Sequence, residues 1–113
     1  MRPEARKLVE DALTAAESVT TFIGNRTFED YAADLLLRSA VERQLVTVGE
    51  ALSQLRRRAP ETAALIPDLP RIVDFRNVLT HGYGSVDNEI VWESIGVDLE
   101  PLKARLRVLL APV

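Results

Sequence analysis

The sequence predicts an all-α fold: an antiparallel bundle of four to five helices, with a short extra helix before the helix that carries Arg76. Two observations carry this. Apolar residues recur at steps of three and four through nearly the whole chain, and no stretch alternates as a strand would. Leu, Ala, Val, Arg and Glu dominate while aromatics are only 5%, a composition that favours helix over sheet. At 113 residues, with no repeat, low-complexity tract or long linker, residues 1–113 are expected to form one domain.

The first helix is expected to begin at Pro3, a favoured first-turn residue, and to run to about Phe22 or Ile23. Val9, Ala12, Ala16, Val19 and Ile23 mark its core face, and Gly24-Asn25 ends it because both residues accept positive φ. Thr27 is the N-cap of the next helix, with Asp30 completing a short capping box. That helix is expected to continue unbroken from Phe28 to about Arg58.

Along it Tyr31, Leu35, Arg38, Glu42, Leu45, Gly49 and Leu52 form one stripe, interrupted by the charged pair Arg38 and Glu42. Two readings of that pair stand open. It is an intrahelical ion pair that fixes register, or the stripe faces a polar cleft beside Arg76 and His81. Gly49 costs about 1 kcal/mol relative to alanine in a helix interior. Close approach of another helix, from this chain or a second copy, would compensate. Arg56, Arg57 and Arg58 complement the negative end of the helix dipole, and are also the best local candidates for contacting RNA phosphates.

Pro60-Glu61-Thr62 opens a short helical turn towards Leu65-Ile66, and Pro67 and Pro70 frame a kinked connection. Asp68 is the expected N-cap of the next helix, with Pro70 in its first turn and His81 near its end. Leu65, Leu69, Ile72, Arg76, Leu79 and Tyr83 form its stripe, broken by Arg76 as the earlier one is by Arg38 and Glu42. Two apolar seams with polar interruptions point to one shared polar site. Asp87 caps the last segment, where Trp92, Ile95, Leu99, Leu102, Leu106, Leu109 and Val113 keep helical spacing. A break is expected near Gly96-Val97-Asp98, with Asp98 capping a final helix and Pro101 in its first turn.

The bulk properties exclude several classes of function. With no cysteine and one histidine, disulfides, thiolate chemistry and a histidine-rich metal site are ruled out within one chain, and no cofactor is expected. The amino terminus lacks the apolar run of a signal peptide, and no stretch is long enough to span a membrane, so a cytoplasmic location is the simplest reading. A net charge of −3 argues against a general nucleic-acid coat but leaves room for a local RNA site.

The chemistry concentrates in Arg76-Asn77-Val78-Leu79-Thr80-His81-Gly82-Tyr83. Arginine offers a permanent cation with five donors, and histidine exchanges protons near neutral pH. Together they supply much of what cleaving a phosphodiester requires. On a helix Asn77 and His81 share a face, whereas Arg76 and His81, five apart, do not. They meet only if the helix unwinds at its end or a second chain completes the site. The bland alternative is a glycine-capped helix end with His81 near its negative pole and Arg76 in a structural ion pair.

Arg-Asn-x-x-x-His-Gly-Tyr, followed by Val86-Asp87 and Ile90-Val91-Trp92-Glu93, resembles the HEPN superfamily and within it the HepT-like ribonuclease toxins. The segment Arg38–Leu45 leading into Gly49-Glu50-Ala51-Leu52 is similar to the second helix of the same group, so the resemblance covers roughly residues 5–110. It implies a HEPN-type bundle and the toxin of a toxin–antitoxin pair, a metal-independent endoribonuclease acting on RNA, with tRNA as one substrate class. Arg76 and His81 match the catalytic positions, and Asn77 the polar residue beside them. Tyr83 matches a tyrosine modified with AMP by an MNT-type nucleotidyltransferase antitoxin. The resemblance also implies a homodimer whose two Arg/His motifs face a common cleft. Dimerisation is expected on sequence grounds too, from the Arg76–His81 spacing, Gly49 and the long apolar seams.

The run Pro67-Asp68-Leu69-Pro70-Arg71 departs from the group in lacking a tryptophan often found there and in carrying an extra proline. Two alternatives stand beside the toxin reading: a non-catalytic dimeric module whose polar cleft holds a nucleotide or RNA without cutting it, and a structural subunit that docks the nucleotidyltransferase.

Overall fold

The computed structural model of the chain describes residues 1–81 and 86–112, and at residue 81 the helical backbone alone. It is an all-α bundle, as the apolar spacing requires, with six helical segments among the described residues.

Helix α1 spans Pro3–Ile23 and closes at Gly24, whose φ of 54° only glycine adopts freely and whose N–H donates to the Thr20 carbonyl at 3.0 Å. Its buried face consists largely of small residues (Ala5, Ala12, Ala15 and Ala16 beside Val9 and Val19), so a neighbouring helix can approach closely. The capping box forms as expected. The Thr27 hydroxyl accepts from the Asp30 N–H at 3.2 Å, and the Asp30 carboxylate accepts from the Thr27 N–H at 3.0 Å.

The expected single helix from Phe28 to Arg58 is two helices, α2 (Phe28–Ala33) and α3 (Leu35–Arg58). Asp34 stands between them in extended conformation, φ −117° and ψ 99°, and its carboxylate accepts from the Leu37 N–H at 3.1 Å. Aspartate competes with the helix for its own backbone, which makes it a better N-cap than interior residue. The break shifts the phase of the stripe. Tyr31 is fully buried, whereas Leu35 and Leu36 are 68% and 81% exposed.

Helix α4 (Pro60–Ala63) is the expected short turn. Helix α5 (Leu69–His81) follows Asp68, whose backbone is left-handed, φ 64°, and whose carboxylate pairs with Arg71 at 3.3 Å. Helix α6 (Asn88–Leu110) starts at Asp87, which accepts from the Glu89 and Ile90 N–H groups at 2.9 and 3.3 Å.

The expected break in α6 does not occur. Pro101 lies inside the helix, and the carbonyl it leaves without a donor is that of Val97. Both residues are on the solvent side, where water can satisfy that carbonyl. The Asp98 carboxylate caps nothing; it accepts from Arg71 and, at 3.2 Å, from the Ser94 hydroxyl.

Helix α3 is the hub, packed against α1 on one side and α5 on the other, with α6 laid across α1. Helix α2 closes a corner where Trp92 of α6 meets the rings of Phe28 and Tyr31, at centroid distances of 6.0 and 5.3 Å. Lys103 is buried between α1 and α6, donating to the Thr20 hydroxyl and pairing with Glu100, both at 2.7 Å. No described helix is long and apolar enough to cross a membrane.

Candidate active site at the seam of α3 and α5

The close approach expected at Gly49 is made within this chain. A Cβ built on Gly49 would lie 2.5 Å from the Cβ of Arg76, well inside contact distance, so the missing side chain is the space the arginine stem occupies. Gly49 is buried and Arg76 half-buried. The result is an arginine whose aliphatic stem is held against a helix backbone while its guanidinium stays accessible, donating to the Asn77 side-chain oxygen at 3.2 Å.

Helix α5 remains regular through His81, so it does not unwind before the histidine. At 100° and 1.5 Å per residue, positions 76 and 81 are about 140° apart around the axis and about 7.5 Å along it. Thr80, which the sequence reading did not single out, donates its hydroxyl to the Arg76 carbonyl at 3.1 Å and tightens that last turn. The His81 side chain and Tyr83 lie outside the described residues.

Arg38 and Glu42 do not form the intrahelical ion pair. Arg38 instead donates to the carbonyls of Tyr31, at 3.5 Å, and Ala32, satisfying the end of α2 that the break at Asp34 leaves open. Glu42 is half-buried, and burial pushes its carboxyl above the ordinary value while the Arg38 charge pulls it down. Tyr31 is raised to about 12 by burial and by the charge of Glu42, partly offset by Arg38. Its hydroxyl has no hydrogen-bond partner among the described residues. The sequence presents Tyr31 as one more ring in an apolar stripe; only the fold around Asp34 brings its hydroxyl into the field of two charges.

Because the chain reverses between α3 and α5, Glu42, about 10.5 Å from Gly49 along α3, is towards the His81 end of α5. Arg56, Arg57 and Arg58 lie the other way. Position 56 is about 18 Å from the level of His81 along the bundle. The three side chains are exposed in the last turn of α3, whose final carbonyl, that of Arg58, accepts from Arg2 at 3.0 Å. Their surroundings are those of a helix C-terminus, remote from the seam. Among the described residues no group of three His, Asp or Glu side chains is placed to hold a metal ion.

The profile of the family described as "Ribonuclease HepT-like" matches residues 12–109. A protein of Thermococcus cleftensis named "Probable ribonuclease HepT" is 28% identical over 111 residues, covering 96% of this chain and 98% of that one. A protein of Caldanaerobacter subterraneus subsp. tengcongensis named "Putative RNase TTE0752" is 29% identical over 105 residues, 93% of each chain. No solved structure matches.

Proposed function

The chain belongs to the ribonuclease HepT-like family, and we propose that it is a metal-independent endoribonuclease that cuts RNA at a cleft built on Arg76, Asn77 and His81. The observation that carries this reading is the Gly49–Arg76 contact. A helix-interior glycine gives up about 1 kcal/mol of helix propensity, and what occupies the space is the stem of a cation. A guanidinium so fixed meets a phosphodiester with little reorganisation and stabilises the charge that accumulates at phosphorus. His81 takes the proton of the ribose 2′-hydroxyl or returns one to the leaving 5′-oxygen. Asn77, bonded to Arg76, orients the phosphate or the imidazole.

The regular helix through His81 supports a composite site. Within one chain Arg76 and His81 diverge, so a homodimer in which Arg76 of one copy works with His81 of the other reconciles their spacing with joint action. The test mixes two inactive variants, Arg76→Ala and His81→Ala, under subunit exchange on a labelled RNA. A composite site regains cleavage in the mixture; two inactive variants that stay inactive together place both residues in one protomer's site or leave the mechanism without support.

As part of the same reading, the chain is the toxin of a pair whose partner, an MNT-type nucleotidyltransferase, transfers AMP to Tyr83. A nucleotide there adds bulk and negative charge beside groups that must receive an RNA phosphate. Growth arrest by both wild type and Tyr83→Phe, relieved by the partner for wild type alone, is the expected result. A partner that rescues both equally would remove Tyr83 from the scheme.

A further inference from the structure

Helix α6 is apolar on two sides. Val91, Leu99, Leu102 and Leu106 face the core. Ile90, Val97, Pro101, Ala104 and Val108 are all exposed, with Ile90, Val97 and Val108 at 53%, 58% and 62%. At 100° per residue those five fall in a band about 60° wide and about 27 Å long, so they form one continuous stripe. Beside it runs an open groove of about 540 Å³, with Ile66, Pro67 and Ile72 on one wall and Val97, Pro101 and Val108 on the other. An apolar face of this length on a surface helix is the mark of an interaction site.

The stripe is self-complementary when reversed. Its members are disposed almost symmetrically about position 99, so that an antiparallel second copy sets Ile90 opposite Val108 and Val97 opposite Pro101. The charges agree with reversal. Glu89, Glu93 and Asp98 lie in the first half of α6 and the exposed Arg105 and Arg107 in the second, with Glu100 beside the midpoint and Lys103 buried on the opposite side. Antiparallel pairing therefore lays the acidic half of one helix along the basic half of the other and opposes the two helix dipoles; parallel pairing does neither. Arg107 lies on the same flank of the stripe as Glu89 and Glu93, and in the antiparallel pair it comes level with the space between them.

We infer that α6 is a homotypic docking face, through which two copies of this chain pair antiparallel along Ile90–Val108. The small side chain of Ala104 and the ring of Pro101 suit an interhelical distance of about 8–10 Å, and the adjoining groove receives the partner's branched side chains. This contact differs from one that would unite two Arg76/His81 clefts. The N-terminal ends of the paired α6 helices are about 33 Å apart. A chain that uses both contacts assembles beyond a dimer. The inference is independent of the ribonuclease reading, since neither Arg76 nor His81 takes part in the stripe.

The test has two arms on the full chain. In the first, light-scattering mass is measured for wild type and for the double variant Val97→Glu/Val108→Glu, with helicity checked by circular dichroism. The mass of the folded variant is expected to be half that of wild type. An unchanged mass, or a wild type that is monomeric at every concentration, overturns the inference and leaves the face to a partner of different sequence. The second arm uses the absence of native cysteine. Ile90→Cys and Val108→Cys chains, mixed under mild oxidation, are expected to form a disulfide-linked pair that neither forms alone. Linkage within either variant alone would mean parallel pairing and would overturn the antiparallel arrangement, even if the charged double variant fails to fold.

Discussion

At Gly49 a single missing methyl group positions a cation. Alanine there would place its Cβ 2.5 Å from the Cβ of Arg76, an atom fixed to its own helix and unable to swing aside. The helices must separate, an overpacking cost of about 1–3 kcal/mol set against about 1 kcal/mol of gained helix propensity. Gly49→Ala is therefore expected to lower stability by up to about 2 kcal/mol in denaturant titrations and RNA cleavage by roughly tenfold, about 1.4 kcal/mol of transition-state stabilisation. A variant with both stability and cleavage unaltered would show that the two helices do not meet there.

Glu42 gives a second prediction of this kind, with its sign fixed by linkage. Its folded pKa is raised above the ordinary 4.5, so the folded chain holds the proton more tightly than the unfolded chain does. The associated stability is fully present below about pH 4.5 and is lost as pH rises through the folded value. Replacing Glu42 with Gln should flatten the fall of Tm with pH just above that point. An identical slope in both proteins would mean that Glu42 is not desolvated.

Among the elements, the α2–α3 corner depends on two polar groups facing opposite ways. Asp34 caps the start of α3, and Arg38 satisfies the end of α2. An N-cap aspartate replaced by alanine costs typically about 1 kcal/mol. Here the loss also frees the chain to run straight, which would carry Tyr31 away from Trp92. Asp34→Ala should therefore lower Tm and change the near-ultraviolet signal of Trp92, whereas a purely local cap would leave that signal intact. The same corner is invisible in the apolar pattern, which runs on as one helix. Aspartate at a step of the helical pattern is compatible with an interior position or an N-cap, and nothing nearby in sequence separates the two. The uninterrupted α6 shows the converse. Gly96, Asp98 and Pro101 are all helix-ending residues, but two of them, Gly96 and Pro101, point to solvent and the third, Asp98, is engaged by Arg71. Local signals hold at Thr27, Gly24 and Asp87, where the cap residue has no competing side-chain partner.

For the whole molecule, the arrangement of α3 between α1 and α5 decides what the polar interruptions do. Arg38, Glu42 and Arg76 are legible as exceptions in apolar seams, but their partners are not: Arg76 packs on Gly49 of α3, whereas Arg38 turns to the carbonyl end of α2, which exists only because the chain breaks at Asp34. The arginine run Arg56–Arg58, equally prominent in sequence, falls at the far end of the bundle from His81. The exposed stripe of α6 belongs to this scale as well. The sequence shows apolar residues on α6 in excess of one face, but which face the core takes up is settled by α1.

The sequence by itself determined the all-α class, the helix caps at Thr27 and Asp87, the glycine end of α1, and the family to which Arg76, Asn77 and His81 belong. These are written in short-range patterns, because capping bonds and helical periodicity involve residues a few positions apart. The tertiary structure alone decided which helix meets Gly49, where the second helix breaks, and which apolar face of α6 is left uncovered. Each of these depends on side chains dozens of residues apart competing for the same space, and that competition is resolved only when the helices pack.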